Sequence, residues 1–278
     1  APQKQTTSVA YEPVQPGADE RILGAPKRAI IIDQARRGVH SPADFLGLTA
    51  PLLRLYAGSE DAAALGLDEA AFGRRCSGCG GSGVVRSEMG FLPDVFAPCD
   101  LCAGTGFLPE AWEVRLNDVA LPELFGKTID EVSALFGTQD TLARPLQAAQ
   151  QVGLGYLVLR QPGIALSGGE AQRLKIAAEL ATRAQPDTLY ILDEPTVGQH
   201  AEDVARLVGV LRKLVDAGHS VLVVEHHPLL LACCDWLVEL GPGGGAQGGW
   251  LVAEGIPQMV ARGQSPTAPY LRPILEVE

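Results

Sequence analysis

Residues 166–195 read LSGGEAQRLKIAAELATRAQPDTLYILDEP, and this stretch decides the fold. Ser167 followed three residues later by Glu170 forms a capping box, which marks a helix start. Leu174, Ala177, Ala178 and Ala181 make an apolar side, with Gln172, Lys175, Glu179 and Arg183 on a polar one, so the spacing predicts a helix over 168–183. The capping box accounts for Ser167 and Glu170 but not for Gly168 and Gly169. Two glycines in a first turn cost roughly 1 kcal/mol each. They are explained if a ligand must approach the backbone, since bare N–H groups beside a serine hydroxyl make a phosphate site.

An apolar strand over 188–192 then ends in Asp193 and Glu194. Carboxylates at the carboxyl end of a parallel strand sit where ligands bind. There Asp193 is placed to hold Mg²⁺, directly or through water, and Glu194 to orient or deprotonate a water attacking a phosphoryl group. A predicted helix over 201–217 leads to a strand over 220–225 that delivers His226, placed to bond a γ-phosphate or its attacking water. A further strand covers 236–240. Upstream, Ala29–Ile32 reads as a strand ending in Asp33-Gln34, residues 40–72 as largely helical, and Glu123–Phe136 and Leu142–Val152 as helices. This alternation predicts an α/β protein with parallel βαβ units covered on both faces.

Residues 74–107 differ in character. Cys76-x2-Cys79-x19-Cys99-x2-Cys102 offers four thiolates as two chelating pairs, each followed by the same glycine pattern, CSGCGGSG and CDLCAGTG. That set suits tetrahedral Zn²⁺, and two β-prone pieces lie between the pairs. Apolar residues at 46% and charged residues at 20% describe an ordinary globular chain, and 33 acidic against 22 basic residues exclude a wholesale nucleic-acid coat. No apolar run reaches the ~18 residues of a membrane span. The first 24 residues lack a secretory signal pattern and an initiator methionine.

Taken together, Leu166–Arg173, Asp193-Glu194, the turn Pro195–Gly198 and His226 resemble, in order and spacing, the signature motif, Walker B, D-loop and H-loop of an ABC-type ATPase, with Asp33-Gln34 in the Q-loop position. The CxxCxGxG pair, Glu88–Val95, Asp118-Val119 and Val152–Tyr156 narrow the resemblance to the C-terminal (second) ABC module of the UvrA family of excinuclease proteins, over about nine tenths of the chain. The resemblance implies an ABC ATPase core, a mostly parallel sheet flanked by helices, with a helical signature subdomain carrying an inserted zinc module. On that reading 1–24 is a polar tail, 25–39 a core strand and Q-loop, 40–165 the signature subdomain, and 166–278 the remaining core. It also implies that Ser167, Gly168, Gly169 and Gln172 contact a nucleotide held by a partner module, while Asp193, Glu194, His226 and Gln34 serve the module's own nucleotide, with Asp193 and Gln34 facing its Mg²⁺. The implied cofactors are ATP/ADP, Mg²⁺ and Zn²⁺. The implied partners are damaged duplex DNA, the remainder of its own polypeptide with the P-loop and first ABC module, a second copy, and a helicase of the excinuclease B type, in a cytoplasmic protein of nucleotide excision repair.

A complete nucleotide site needs G-x4-G-K-[ST]. Gly126-Lys127-Thr128 imitates its last three positions, but Leu121 stands where the first glycine is required, so this is a false match. The expectation is that these residues belong to a longer protein and show no ATPase activity alone. Looser agreement over Ser41–Phe72 leaves room for a paralogue in tolerance to DNA-binding drugs. A transporter ABC module lacks the cysteines, and a DnaJ-type zinc module does not explain Leu166–Arg173.

Overall fold

The structure, a computed structural model, describes residues 26–33, 40–73, 76–87, 95–182, 187–243 and 248–277. Strand β1 (Arg28–Ile32) is followed by four short helices, α1 (Pro42–Phe45), α2 (Thr49–Ala57), α3 (Glu60–Ala64) and α4 (Glu69–Gly73). A hairpin of β2 (Val84–Ser87) and β3 (Val95–Pro98) carries the cysteine module, and β4 (Arg115–Leu116) with β5 (Val119–Ala120) forms a second small ribbon. Helices α5 (Leu121–Phe125), α6 (Ile129–Phe136) and α7 (Asp140–Gln151) precede the signature helix α8 (Gly168–Ala181). Then come β6 (Thr188–Asp193), α9 (Ala201–Asp216), β7 (Ser220–Val224), α10 (Pro228–Ala232), β8 (Leu237–Gly241), β9 (Trp250–Gly255), α11 (Pro257–Arg262) and α12 (Ala268–Leu275).

The helix expected over Glu123–Phe136 is two helices. Gly126 ends α5, and Thr128 starts α6 with its own capping box, its N–H donating to Glu131 Oε2 at 2.8 Å and its Oγ1 accepting from the Glu131 N–H at 3.3 Å. The Gly-Lys-Thr triplet is therefore a helix–helix joint rather than a phosphate loop.

Strands β1, β6 and β7 form one parallel sheet in that order, with Ile31, Ile191 and Leu222 in register. Its inner face presents Ile32, Tyr190 and Leu192 to a core shared with Leu174 and Ile176 of α8 and Val204 and Leu207 of α9. The same core continues into the helical region through Leu142, Leu146, Ile129, Leu121, Leu52 and Tyr56, whose hydroxyl donates to the Val119 carbonyl at 2.7 Å. The other face departs from expectation. Ile31, Leu222 and Val224 are 53–57% exposed, so among the described residues helices cover one side only. Apolar residues on both faces of a parallel strand forecast two covered faces, and α8 and α9 both pack on the same one. Beyond the sheet, β8 and β9 pair antiparallel and rest on α10–α12 through a separate small core around Leu237, Val260, Ala261 and Leu271.

Candidate nucleotide and metal sites

Parallel strands β6 and β7 end side by side, with Asp193 opposite Val224 as the last register pair. Asp193 and Glu194 are exposed at that edge. Glu194 has φ +43°, a left-handed conformation unusual for a side chain of its size, and its N–H donates to the Val224 carbonyl at 2.8 Å. This strained turn swings the Glu194 carboxylate toward the neighbouring strand. There His226 Nδ1 stands 3.6 Å from Glu194 Oε1, with the imidazole largely exposed. The fold thus brings together three residues that the sequence singled out, Asp193, Glu194 and His226. Gln34 lies outside the described residues, although its neighbour Asp33 accepts from Lys175 Nζ of α8 at 2.5 Å through its carboxylate and at 2.9 Å through its carbonyl.

At the start of α8, Ser167 is exposed, and Gly168 and Gly169 are half-buried. Ser167 N–H donates to Glu170 Oε2 at 2.7 Å, and Ser167 Oγ accepts from Glu170 N–H at 3.2 Å. The Tyr156 hydroxyl donates to Glu170 Oε1 at 2.6 Å, and burial, reinforced by that bond, pushes the tyrosine up to about 12. Burial works against Glu170 ionisation, but the donors Tyr156 and Ser167 outweigh it and hold the carboxyl below its usual range. The first-turn amides of Gly168 and Gly169 have no helical acceptor. A Cβ on Gly169 would stand 3.3 Å from the Val197 carbonyl, so the signature turn is drawn close to the loop after Glu194.

Gln172 departs from the nucleotide contact expected of it. It is fully buried, and its Nε2 donates to the carbonyls of Ile32 at 3.0 Å and Asp193 at 2.8 Å. Its place is a brace fixing α8 to the ends of β1 and β6 rather than a surface for nucleotide. On the polar side of α8, Gln172 and Lys175 are thus used inside the protein.

The four cysteines converge. Cys76 and Cys99 sulfurs are 3.8 Å apart, Cys79 and Cys102 sulfurs 3.7 Å, and all four lie within 4.8 Å of one another. A tetrahedral ion with bonds of about 2.3 Å to sulfur separates its ligands by roughly 3.8 Å, so the thiol set fits zinc. Gly83 N–H donates to Cys79 Sγ at 3.3 Å and Gly106 N–H to Cys102 Sγ at 3.1 Å, offsetting thiolate charge. Both glycines have positive φ, and a Cβ on either would collide with a carbonyl of the opposite knuckle, at 2.4 Å from Gly104 or 2.3 Å from Gly81. The repeated CxxCxGxG is a pair of interlocked knuckles. Burial raises the Cys76 thiol, but the amides of Gly78 and Cys79 and the thiols of Cys99 and Cys102 bring it down to about 7.

One site residue escaped the sequence reading. Glu225, directly after β7, has a side chain with no exposure and accepts from the loop after β6 and from the loop after β7. A single carboxylate closing a run of valines carries no pattern that marks it.

This sheet edge, with its acidic pair, histidine and glycine-rich helix start, defines an ABC-type ATPase core. UvrABC system protein A of Thermus thermophilus is 42% identical over 272 residues, covering 94% of this chain and 29% of that protein. The same protein of Bacillus subtilis is 40% identical over 273 residues, covering 94% and 28%. The crystal structure of UvrA2 from Deinococcus radiodurans superposes with a TM-score of 0.82 at 41% identity, covering 89% of this chain and 32% of that one. No protein-family model matches the chain. Over the matched residues the chain belongs to the UvrA family, and it spans about three tenths of the length of the curated relatives it matches.

Proposed function

We propose that this chain is part of a UvrA-like DNA-damage-recognition ATPase of nucleotide excision repair, in which nucleotide sandwiched between paired ABC modules controls the grip on DNA. The pairing of Glu194 with His226 beside Asp193 carries this reading. Asp193 would hold Mg²⁺, which supplies charge neutralisation on the phosphates. Glu194 orients or deprotonates the attacking water, and His226 bonds the terminal phosphate. The open amides of Gly168 and Gly169 and the Ser167 hydroxyl face a nucleotide held by another module, and such preformed donors supply most of what phosphoryl transfer requires.

The P-loop comes from elsewhere in the polypeptide, since no G-x4-G-K-[ST] occurs in the 278 residues. The outer face of the sheet, apolar and left open by the described residues, supports that view, because parallel sheets are covered on both faces in complete domains. The four-cysteine module holds zinc and contributes to the DNA surface, while damaged duplex, a second copy and a helicase of the excinuclease B type are the partners. No helix among the described residues is long and apolar enough to cross a membrane, and the proposed setting is the cytoplasm.

The test is ATP hydrolysis by this chain alone and by the complete protein. The chain alone should show none, and the complete protein should turn over ATP and lose that turnover on Glu194→Gln while still binding nucleotide. Robust hydrolysis by the isolated chain contradicts the missing-P-loop argument, and near-normal turnover by the variant removes Glu194 from its role.

A further inference from the structure

We propose that Glu225 is a positioning residue that couples the turn after Glu194 to the histidine loop, so that Glu194 and His226 are held as one unit. The proposal rests on the hydrolysis reading above and adds a residue to it. Neighbours Val224 and His226 are exposed, yet the Glu225 side chain is fully buried between them. Its Oε1 accepts from the Thr196 N–H at 3.0 Å and from the Thr196 hydroxyl. Its Oε2 accepts from the His226 N–H at 2.5 Å and the His227 N–H at 2.9 Å. Two donors belong to the loop after β6 and two to the loop after β7.

A buried carboxylate is costly unless its oxygens are satisfied, and here both are. Burial by itself raises this acid, yet Thr196, His226 and His227 more than reverse that and keep it ionised. The ladder between β6 and β7 closes at Asp193 and Val224, and Glu194 N–H adds one more bond to Val224. Beyond that point the Glu225 carboxylate carries the connection between the two loops. His226 Nδ1 also lies 3.5 Å from Glu225 Oε2 and 3.6 Å from Glu194 Oε1, so the imidazole is bracketed by a buried and an exposed carboxylate. That arrangement turns Nδ1 inward and leaves Nε2 as the nitrogen offered to a phosphate.

Glutamine at 225 has one acceptor oxygen, so its amide nitrogen must confront either the Thr196 N–H or the two histidine amides. One loop is released whichever way it turns. In the complete protein Glu225→Gln should therefore lower kcat about tenfold or more while KM for ATP stays within about threefold, because positioning and not binding is lost. Thr196→Val removes one donor to Glu225. In the parent it should speed hydrogen exchange of the His226 and His227 amides and reduce kcat. In the Glu225→Gln background it should do neither. A kcat within twofold of the parent overturns the proposal, as does a loss matched by the loss of folded protein in thermal unfolding, or equal Thr196→Val effects in both backgrounds. If the parent itself fails to hydrolyse ATP, the hydrolysis reading falls, and the exchange measurement alone still decides whether Glu225 couples the loops.

Discussion

Replacing Gly106 by alanine probes the interlocked knuckles directly. Gly106 has φ +78°, and an L-residue held in the left-handed region costs about 1–2 kcal/mol. The added Cβ would lie 2.3 Å from the Gly81 carbonyl oxygen, and both partners are backbone, so no side chain can swing aside. The knuckles must separate by roughly 1 Å to restore ordinary contact. That motion breaks the Gly106 N–H bond to Cys102 Sγ at 3.1 Å and the Cys76 N–H bond to the Gly106 carbonyl at 3.0 Å. A hydrogen bond to a charged sulfur is worth about 1.5–3 kcal/mol and a neutral one about 0.5–1.5 kcal/mol. The combined cost is about 3–6 kcal/mol, which lowers zinc affinity by roughly two to four orders of magnitude. Gly80 supplies the control. Its φ is +60° and a Cβ there meets nothing within 4 Å, so Gly80→Ala carries the backbone cost alone, about tenfold in affinity. Competition against a chromophoric chelator at fixed pH measures both. Equal weakening by the two variants, or a Gly106→Ala affinity within tenfold of the parent, refutes the packing argument.

The remaining predictions concern the thiols, the acidic edge and the brace. Because Cys76 ionises at about 7 rather than 9.0, zinc uptake should release about one proton fewer at pH 8 than at pH 6, read by calorimetry in buffers of different ionisation enthalpy. The sign follows from a thiol depressed in the folded chain: its ionised form is populated above 7 and is lost as pH falls through that value. Glu194→Gln in the complete protein should reduce ATP turnover by about 10²-fold or more, with nucleotide binding retained in an equilibrium assay. Gln172→Ala strips two carbonyls of their shared donor and opens a space beneath α8. Chemical denaturation should show a loss of roughly 2–4 kcal/mol, and an effect below about 0.5 kcal/mol would count against the brace.

How much of this is legible in the sequence alone depends on whether a residue's role is local. The Ser167 capping box, the apolar strand ending at Asp193 and the cysteine spacing are local patterns, and each appears where its chemistry places it. Helix boundaries over 123–136 escape a reading by periodicity because the apolar spacing runs on through Gly126, whereas the decisive contact is the reciprocal bonding of Thr128 with Glu131. Gln172 sits on a helical face whose polarity points to solvent. That face meets the carbonyls at the ends of β1 and β6, more than a hundred residues apart in the case of Ile32, and no window of sequence contains both partners. Glu225 is invisible for the same reason, its four donors coming from two loops. The same logic bears on the outer face of the sheet. Ile31, Ile191 and Leu222 form an apolar row across three strands, so the residues have the composition of a doubly covered sheet while the described residues cover one side. Hydrophobic patterning reports the environment a strand face is built for, whichever residues supply the cover. On the function proposed above, the exposed row and the first-turn amides of Gly168 and Gly169 share a single cause, a module completed by residues beyond those described.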